Sequence, residues 1–176
     1  RAADFNLDPA RFAAWGHSAG AHLASLLGLT GASPRFCADG RYPGVSAALC
    51  AVVATSGPTD FLQMDAAGSI MRHDARDSPE SLLIGGPIQE HPERTAAANP
   101  VTYVTPEAPP VLLVHGQDDP IVPHQQSVLL HRALQAAGAD SRLLLVPGWG
   151  HEFEVPGGFE AGREFLREAF TDASRA

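Results

Sequence analysis

The pentapeptide Gly16-His17-Ser18-Ala19-Gly20 lies between a short apolar run, Phe12 to Trp15, and a small-residue segment, Ala21 to Gly28. A serine in this Gly-x-Ser-x-Gly setting fits a nucleophile elbow, a sharp strand-to-helix turn that lifts the hydroxyl clear of a sheet. Gly16 and Gly20 are expected where a side chain would crowd the turn or the neighbouring strand. The helix behind Ser18 would aim its unpaired N–H groups and positive dipole end at an oxygen gaining negative charge. The pentapeptide alone also fits a plain glycine-rich turn. The flanking strand and helix signals favour Ser18 as a nucleophile, and the rest of the chain must then supply an acid and a base.

A serine hydroxyl attacks a carbonyl only when a neighbouring base takes its proton, and imidazole does this near neutral pH. A buried carboxylate holds that imidazole in one tautomer and stabilises its charged form. In open parallel sheets such groups gather at the carboxyl ends of the strands. Past the apolar run Val111 to Val114 stands His115-Gly116-Gln117-Asp118-Asp119-Pro120, with two adjacent carboxylates. Past Arg142 to Val146 stands Pro147-Gly148-Trp149-Gly150-His151, an imidazole on a flexible turn. The order is Ser18, then Asp118 or Asp119, then His151, one of the chain orders such a triad takes. Asp118 and Asp119 also suit a capped turn. Asp60 is a further candidate acid, although its position suits capping a helix near Phe61. His17 lies inside the elbow with its ring expected to face away from the Ser18 side chain; His22, His115 and His124 read as structural.

These groups need elements to position them. The chain has 176 residues, 44% of them hydrophobic and 18% charged, with a net charge of −8, a globular balance large enough for one core. No basic cluster is present, which argues against nucleic acid as a partner. No apolar run approaches the length of a membrane span. The start, Arg1-Ala2-Ala3-Asp4-Phe5, resembles no signal peptide and has no initiator Met, so localisation stays open between cytoplasm and secretion. Cys37 and Cys50 are either a disulfide or two buried thiols.

Asn6-Leu7-Asp8-Pro9 is turn chemistry ahead of the elbow strand. Ala48 to Thr55 is a continuous apolar run without alternation, as a strand buried on both faces requires. Val111 to Val114 and Arg142 to Val146 repeat the signal. Helices are expected from the elbow to about Leu29, from Pro123 to Ala137 with Gly138 ending it, and from Phe159 to Phe170. Between residues 59 and 110 the pattern is irregular, with short helical pieces near Asp60–Ala66 and Pro79–Leu83 and proline breaks after Asn99, Thr105 and Pro109. Such a segment suits a cap or substrate wall inside a single domain. Strands alternating with helices argue for an α/β layered domain with a mostly parallel sheet.

Three segments, Gly16-His17-Ser18-Ala19-Gly20, His115-Gly116-x-x-Asp119-x-x-Val122-Pro123 and Gly148-Trp149-Gly150-His151-Glu152-Phe153, resemble the signature segments of α/β-hydrolase serine esterases. Ser56-Gly57-Pro58-Thr59-Asp60-Phe61 and Asp8-Pro9-Ala10-Arg11-Phe12 add to the likeness, which is greatest to the bacterial feruloyl and acetylxylan esterase-like branch near the hormone-sensitive-lipase-like esterases. The resemblance implies a triad of Ser18, Asp119 rather than Asp118, and His151, with the Ala19 N–H in the oxyanion hole and His17 and Trp149 as substrate-binding residues. It implies no cofactor and no metal, and short-chain or carbohydrate-linked esters as substrates. It also implies further strands ahead of the elbow strand and a His-Gly-Gly-Gly-type loop with a second oxyanion donor, neither of which this sequence contains. The expected form is therefore a truncated α/β-hydrolase fold of about four strands. Its bare elbow-strand edge would pair with another copy in a homo-oligomer. A prolyl-oligopeptidase-like serine peptidase domain carries similar segments, and a catalytically silent assembly module is the remaining alternative.

Overall fold

A parallel sheet requires helical crossovers, and helices on both faces leave its central strands no contact with water. In the computed structural model, which describes residues 2–37 and 45–173, the strands are β1 (Ala13–His17), β2 (Ala51–Thr55), β3 (Val111–Gly116) and β4 (Ser141–Val146). All neighbours pair in parallel, in the spatial order β1-β2-β3-β4. Trp15 stands opposite Val53, Val53 opposite Leu112, and Leu112 opposite Arg142. Every residue of β2 and β3 is buried. β1 is half-buried along its whole length, and β4 is half-buried except at exposed Arg142, because each has a neighbour on one side.

The helices are α1 (Ala19–Thr30), α2 (Pro34–Cys37), α3 (Pro79–Ile84), α4 (Pro92–Ala98), α5 (Gln125–Ala137) and α6 (Gly158–Ala173). Ala21 and Ala24 of α1 and Leu130 and Leu134 of α5 pack on Val52, Ala54, Val111 and Leu113 across one face of the sheet. Phe165 of α6, with Val155 beside it, packs on Val53, Leu112 and Val114 across the other. Side chains of successive strand residues alternate between these two cores. This sorting explains why β2 and β3 show no apolar–polar alternation. Trp15 adds a contact to Phe159 at the start of α6, with ring centroids 5.2 Å apart.

The 59–110 segment is more ordered than its composition suggests. It holds one-turn helices at Phe61–Gln63, Asp65–Ala67 and Pro100–Tyr103 besides α3 and α4. Ser78 caps α3 by accepting the Ser81 N–H, and Pro79 and Pro92 open α3 and α4 in the first turn, where a missing N–H costs nothing. Helix α4 is absent from the sequence reading because its seven residues are too few for a periodic signal. The segment is fastened to α5 by Gln126, whose buried amide oxygen accepts the N–H groups of Thr59 and Asp60, both at 2.7 Å. Phe61, Met64, Ile88 and Val122 form a third apolar cluster beneath it.

One expectation changes, and one open alternative narrows. The strand signal beginning at Ala48 becomes a strand only from Ala51, since residues 45–49 follow no regular path. Cys50 is a free thiol whose Sγ donates to the Phe12 carbonyl at 3.2 Å, and burial pushes its pKa up. The side chain of Cys37 lies outside the described part, as do residues 38–44 of the loop after it. Among the described residues no strand lies on the outer side of β1. No described helix is long and apolar enough to cross a membrane.

Candidate active site

Ser18 closes β1 and opens α1 with φ 54° and ψ −122°, a left-handed backbone that a non-glycine residue adopts only where its surroundings impose it. The surroundings are visible. The Ser18 N–H donates to the Thr55 carbonyl at 2.9 Å, and the His22 N–H donates to the Ser18 carbonyl at 3.1 Å. A Cβ on Gly16 would stand 2.1 Å from the Gly20 carbonyl oxygen, so only glycine lets the strand run this close under the helix. Gly20 differs from expectation: exposed in the first turn of α1, it would accept a Cβ with nothing within 4 Å.

The Ser18 hydroxyl donates to His151 Nε2 at 2.8 Å, across 133 positions of sequence. His151 Nδ1–H donates to Asp119 Oδ2 at 2.7 Å. Asp119 lies at the carboxyl end of β3, where its Oδ1 accepts the N–H groups of Ile121 and Val122, both at 2.9 Å. Its Oδ2 takes a further donation from His115 Nε2 at 3.2 Å. His115 is fully buried; its Nε2–H also faces the Val122 carbonyl at 2.8 Å, which leaves Nδ1 to accept from the Ser127 hydroxyl at 2.7 Å. Burial by itself would raise the Asp119 pKa. Donation from His115 and His151, with the two backbone amides, outweighs it and holds the carboxyl far below the usual range. Asp119 is therefore ionised wherever the protein is folded and near neutral pH.

The structure separates the two adjacent carboxylates. Asp118 is exposed, and its part is played by its backbone: the N–H donates to the Trp149 carbonyl at 2.9 Å and ties the 147–151 loop to the end of β3. Gly116 permits that approach, since a Cβ there would stand 2.3 Å from the Trp149 oxygen and 2.4 Å from the Gly150 oxygen. We expect Gly116→Ala to push the loop, and His151 with it, off Ser18. The cost is about 1–3 kcal/mol of stability, measurable by thermal melting.

Asp60 accepts from Leu62 N–H and Asn99 Nδ2 and caps the Phe61–Gln63 turn, with no contact to His151. His17 lies beside the base candidate. Its ring lies 4.8 Å from that of His151 and meets Phe153 edge-on at 5.6 Å. Burial and the neighbouring His151 push its pKa down, so a neutral ring backs the base. Trp149 is exposed on the loop that carries His151. His124 Nδ1–H donates to the Gln117 carbonyl at 2.9 Å, and His22 Nδ1–H donates to that of Pro58 at 3.2 Å. A cavity of about 220 Å³ opens beside Ala19, with walls from His22, Leu23, Pro58, Phe61 and Leu83. Sequence reasoning did not anticipate this cavity or the second donation to Asp119, although His115 four residues before Asp119 was a usable signal. Among the described residues no cluster of three or more His, Cys, Asp or Glu side chains is placed to hold a metal ion.

A chemically competent row of this kind, hydroxyl to imidazole to carboxylate at the carboxyl ends of a parallel sheet, can be compared with known proteins. The BD-FAE family model matches residues 1–134. The chain belongs to the BD-FAE family. Esterase LipC of Mycobacterium tuberculosis (strain ATCC 25618 / H37Rv) is 32% identical to it over 148 residues, covering 84% of this chain and 36% of that protein. Esterase LipQ of the same organism is 34% identical over 154 residues, covering 87% of this chain and 35% of that protein. A structure described as a truncated form of carbohydrate esterase from gut microbiota superposes with a TM-score of 0.84 at 30% identity, over 97% of this chain and 63% of that one. A bifunctional GH43-CE from Bacteroides eggerthii gives a TM-score of 0.84 at 31% identity, over 96% of this chain and 25% of that one. The BD-FAE chain thus has an α/β-hydrolase fold, and it spans about a third of the length of the curated relatives it matches.

Proposed function

We propose that this BD-FAE chain carries the nucleophile, base and acid of a serine carboxylic-ester hydrolase. The observation that carries the reading is His151, which bridges Ser18 Oγ at 2.8 Å and Asp119 Oδ2 at 2.7 Å in a single tautomer. Ser18 Oγ attacks the ester carbonyl carbon while its proton passes to His151 Nε2. Asp119 stabilises the imidazolium that forms. The carbonyl oxygen, now negative, turns to the Ala19 N–H, one of the first-turn amides of α1 without an intrahelical acceptor. The bond to the alcohol oxygen breaks, His151 returns the proton to that oxygen, and the acyl group stays on Ser18. Water, deprotonated by His151, then releases the acid and restores the hydroxyl.

The esterase names of the relatives support the reaction class, and the carbohydrate-esterase neighbour supports carbohydrate-linked esters, with short-chain acyl groups proposed from the family resemblance. Exposed Trp149 and the His17 ring beside His151 are proposed to face the substrate, and the 59–110 segment to wall it within one domain spanning the chain. The outer edge of β1 is proposed to pair with a second copy of the chain. The silent-module reading rests on the second oxyanion donor, for which the sequence shows no His-Gly-Gly-Gly-type loop; losing one such donor costs about 10²–10³ in rate.

The deciding experiment offers the chain a short-chain nitrophenyl ester, the matching peptide anilide and a fluorophosphonate probe, with light scattering on the same samples. Ester turnover and labelling of Ser18 without anilide cleavage support the esterase. Anilide cleavage as fast as ester cleavage would replace it with the peptidase, and absence of both turnover and labelling with the silent module. A concentration-independent monomer mass would overturn the pairing of β1.

A further inference from the structure

A second ionisable pair is buried in the 59–110 segment. His73 and Glu80 are 2% and 7% exposed, and His73 Nδ1 stands 3.1 Å from Glu80 Oε1, an electrostatic contact out of line with a good hydrogen bond. On the other side of the ring, Nε2 faces the Ile121 carbonyl at 3.0 Å and Ser69 Oγ at 3.0 Å. Ser69 gives its own proton to that same carbonyl at 2.8 Å. Both ring nitrogens therefore face acceptors, an arrangement that an imidazolium satisfies and neither neutral tautomer does. Breaking such a pair leaves one charge buried without its partner, which is why it persists.

The pair is tied to the acid of the site. Ile121 accepts from His73 and Ser69 through its carbonyl and donates through its N–H to Asp119 Oδ1 at 2.9 Å. The Ile70 N–H holds the Pro120 carbonyl at 2.8 Å. The turn that bears His73 is in turn fixed by Asp65, whose two carboxylate oxygens accept the N–H groups of His73 and Asp74, both at 2.8 Å. Glu80 also lines the cavity beside Ala19, and its Oε2 has no hydrogen-bond partner among the described residues.

We propose that His73 and Glu80 are positioning residues: their buried pair clamps the Pro120–Val122 turn and so holds Asp119 against His151, while Glu80 alone also meets whatever part of the substrate fills the cavity beside Ala19. The proposal rests on the reading of Asp119 as the acid of ester hydrolysis. The groups facing His73 are Asp65 from its own turn, Glu80 from α3 and the Ile121 carbonyl from the acid turn, and Glu80 also acts through its charge on His22 of α1. Burial would lower the His73 pKa, but Glu80, the Ile121 carbonyl and Asp65 together raise it above the ordinary 6.5. The stabilisation is therefore fully present below pH 6.5 and is lost as pH rises through the raised value.

The test compares His73→Leu, His73→Gln and Glu80→Gln with the unaltered chain. It reads kcat and KM for a nitrophenyl ester on the folded fraction, and the far-downfield proton resonance of the His151–Asp119 hydrogen bond. His73→Leu is expected to lower kcat about ten- to a hundredfold at unchanged KM and to broaden or shift the resonance. His73→Gln, which keeps a donor toward Ile121, recovers most of both. Glu80→Gln lowers kcat and raises KM together. In the unaltered chain the resonance weakens on alkaline titration through the His73 pKa, and in His73→Gln that step disappears. If the unaltered chain turns over no ester, the esterase reading fails while the resonance still reports on the clamp. A His73→Leu variant with unchanged resonance and unchanged kcat of the folded fraction would overturn the proposal, leaving the pair as a stabiliser of the segment alone.

Discussion

Ser18→Ala is expected to abolish ester hydrolysis and fluorophosphonate labelling while the melting temperature stays within a few degrees of the unaltered chain. The loss is large because nothing else in the site can form the acyl intermediate. In the proposed mechanism His151 and Asp119 work through Ser18 Oγ as one unit, and removing the nucleophile of such a unit costs about 10⁶ in kcat. The structural cost is small because the hydroxyl makes one side-chain hydrogen bond, to His151 at 2.8 Å, on a half-buried residue. The elbow itself is held by backbone groups that alanine keeps: the Ser18 N–H to Thr55 and the Ser18 carbonyl to His22. The check is turnover of a nitrophenyl ester beside a thermal melt of both chains. Retained turnover in the alanine variant would sink Ser18 as the nucleophile. Lost turnover with a collapsed melt would show that the hydroxyl holds the fold rather than the chemistry.

Asp119→Asn is expected to lower kcat by about 10⁴ and to leave substrate binding nearly unchanged. Four donors converge on the two Asp119 oxygens: the N–H groups of Ile121 and Val122, His115 Nε2–H and His151 Nδ1–H. A carboxylate accepts all four. An asparagine has one acceptor, and wherever its amide turns, NH₂ faces donors. With the amide oxygen kept on the two backbone groups, the NH₂ faces both imidazoles. His151 is then driven to the tautomer protonated at Nε2, which cannot take the Ser18 proton. The same crowding leaves a buried donor unpaired, at about 1–3 kcal/mol of stability near neutral pH.

The pH dependence separates the two effects. The folded-state pKa of Asp119 is depressed, so its contribution to stability is present above the ordinary value of 3.8 and is lost as pH falls toward the lowered one. The stability gap between the two chains should therefore narrow on acidification below that ordinary value, while the deficit in kcat persists across the neutral range. Thermal melts at neutral and acid pH, beside kcat, test this. A gap independent of pH would mean that Asp119 is not the ionised acceptor of these four donors.

Much of the architecture was legible in the residue order. Two apolar runs without alternation, Ala48 to Thr55 and Val111 to Val114, mark the two strands buried on both faces, Ala51–Thr55 and Val111–Gly116. The Gly16-His17-Ser18-Ala19-Gly20 turn became the junction of β1 and α1 because its constraint is local: a Cβ on Gly16 would strike the Gly20 carbonyl four residues away. The helices expected to about Leu29, from Pro123 to Ala137 and from Phe159 to Phe170 overlap α1, α5 and α6, and Gly138 ends α5 as its local conformation requires, while α6 continues to Ala173. Helix α4 escaped because seven residues opened by a proline resemble a break.

The sequence by itself determined which residue types stand at the carboxyl ends of the strands, in the order Ser18, Asp118-Asp119, His151, because strand signals and turn chemistry are properties of neighbouring residues. Residue types alone left Asp118 and Asp119 equivalent, and the resemblance favoured Asp119. The tertiary structure separates them physically, since Asp119 is buried under His115 and His151 while Asp118 faces water. It also placed the His17 ring beside that of His151, left open space where a Gly20 Cβ would stand, and linked His73 to Asp119 through Ile121. Each of these depends on contacts between segments distant in the chain, such as the 133 positions between Ser18 and His151. Partners at that separation leave no periodicity in the sequence; they meet only when the sheet brings its strand ends side by side.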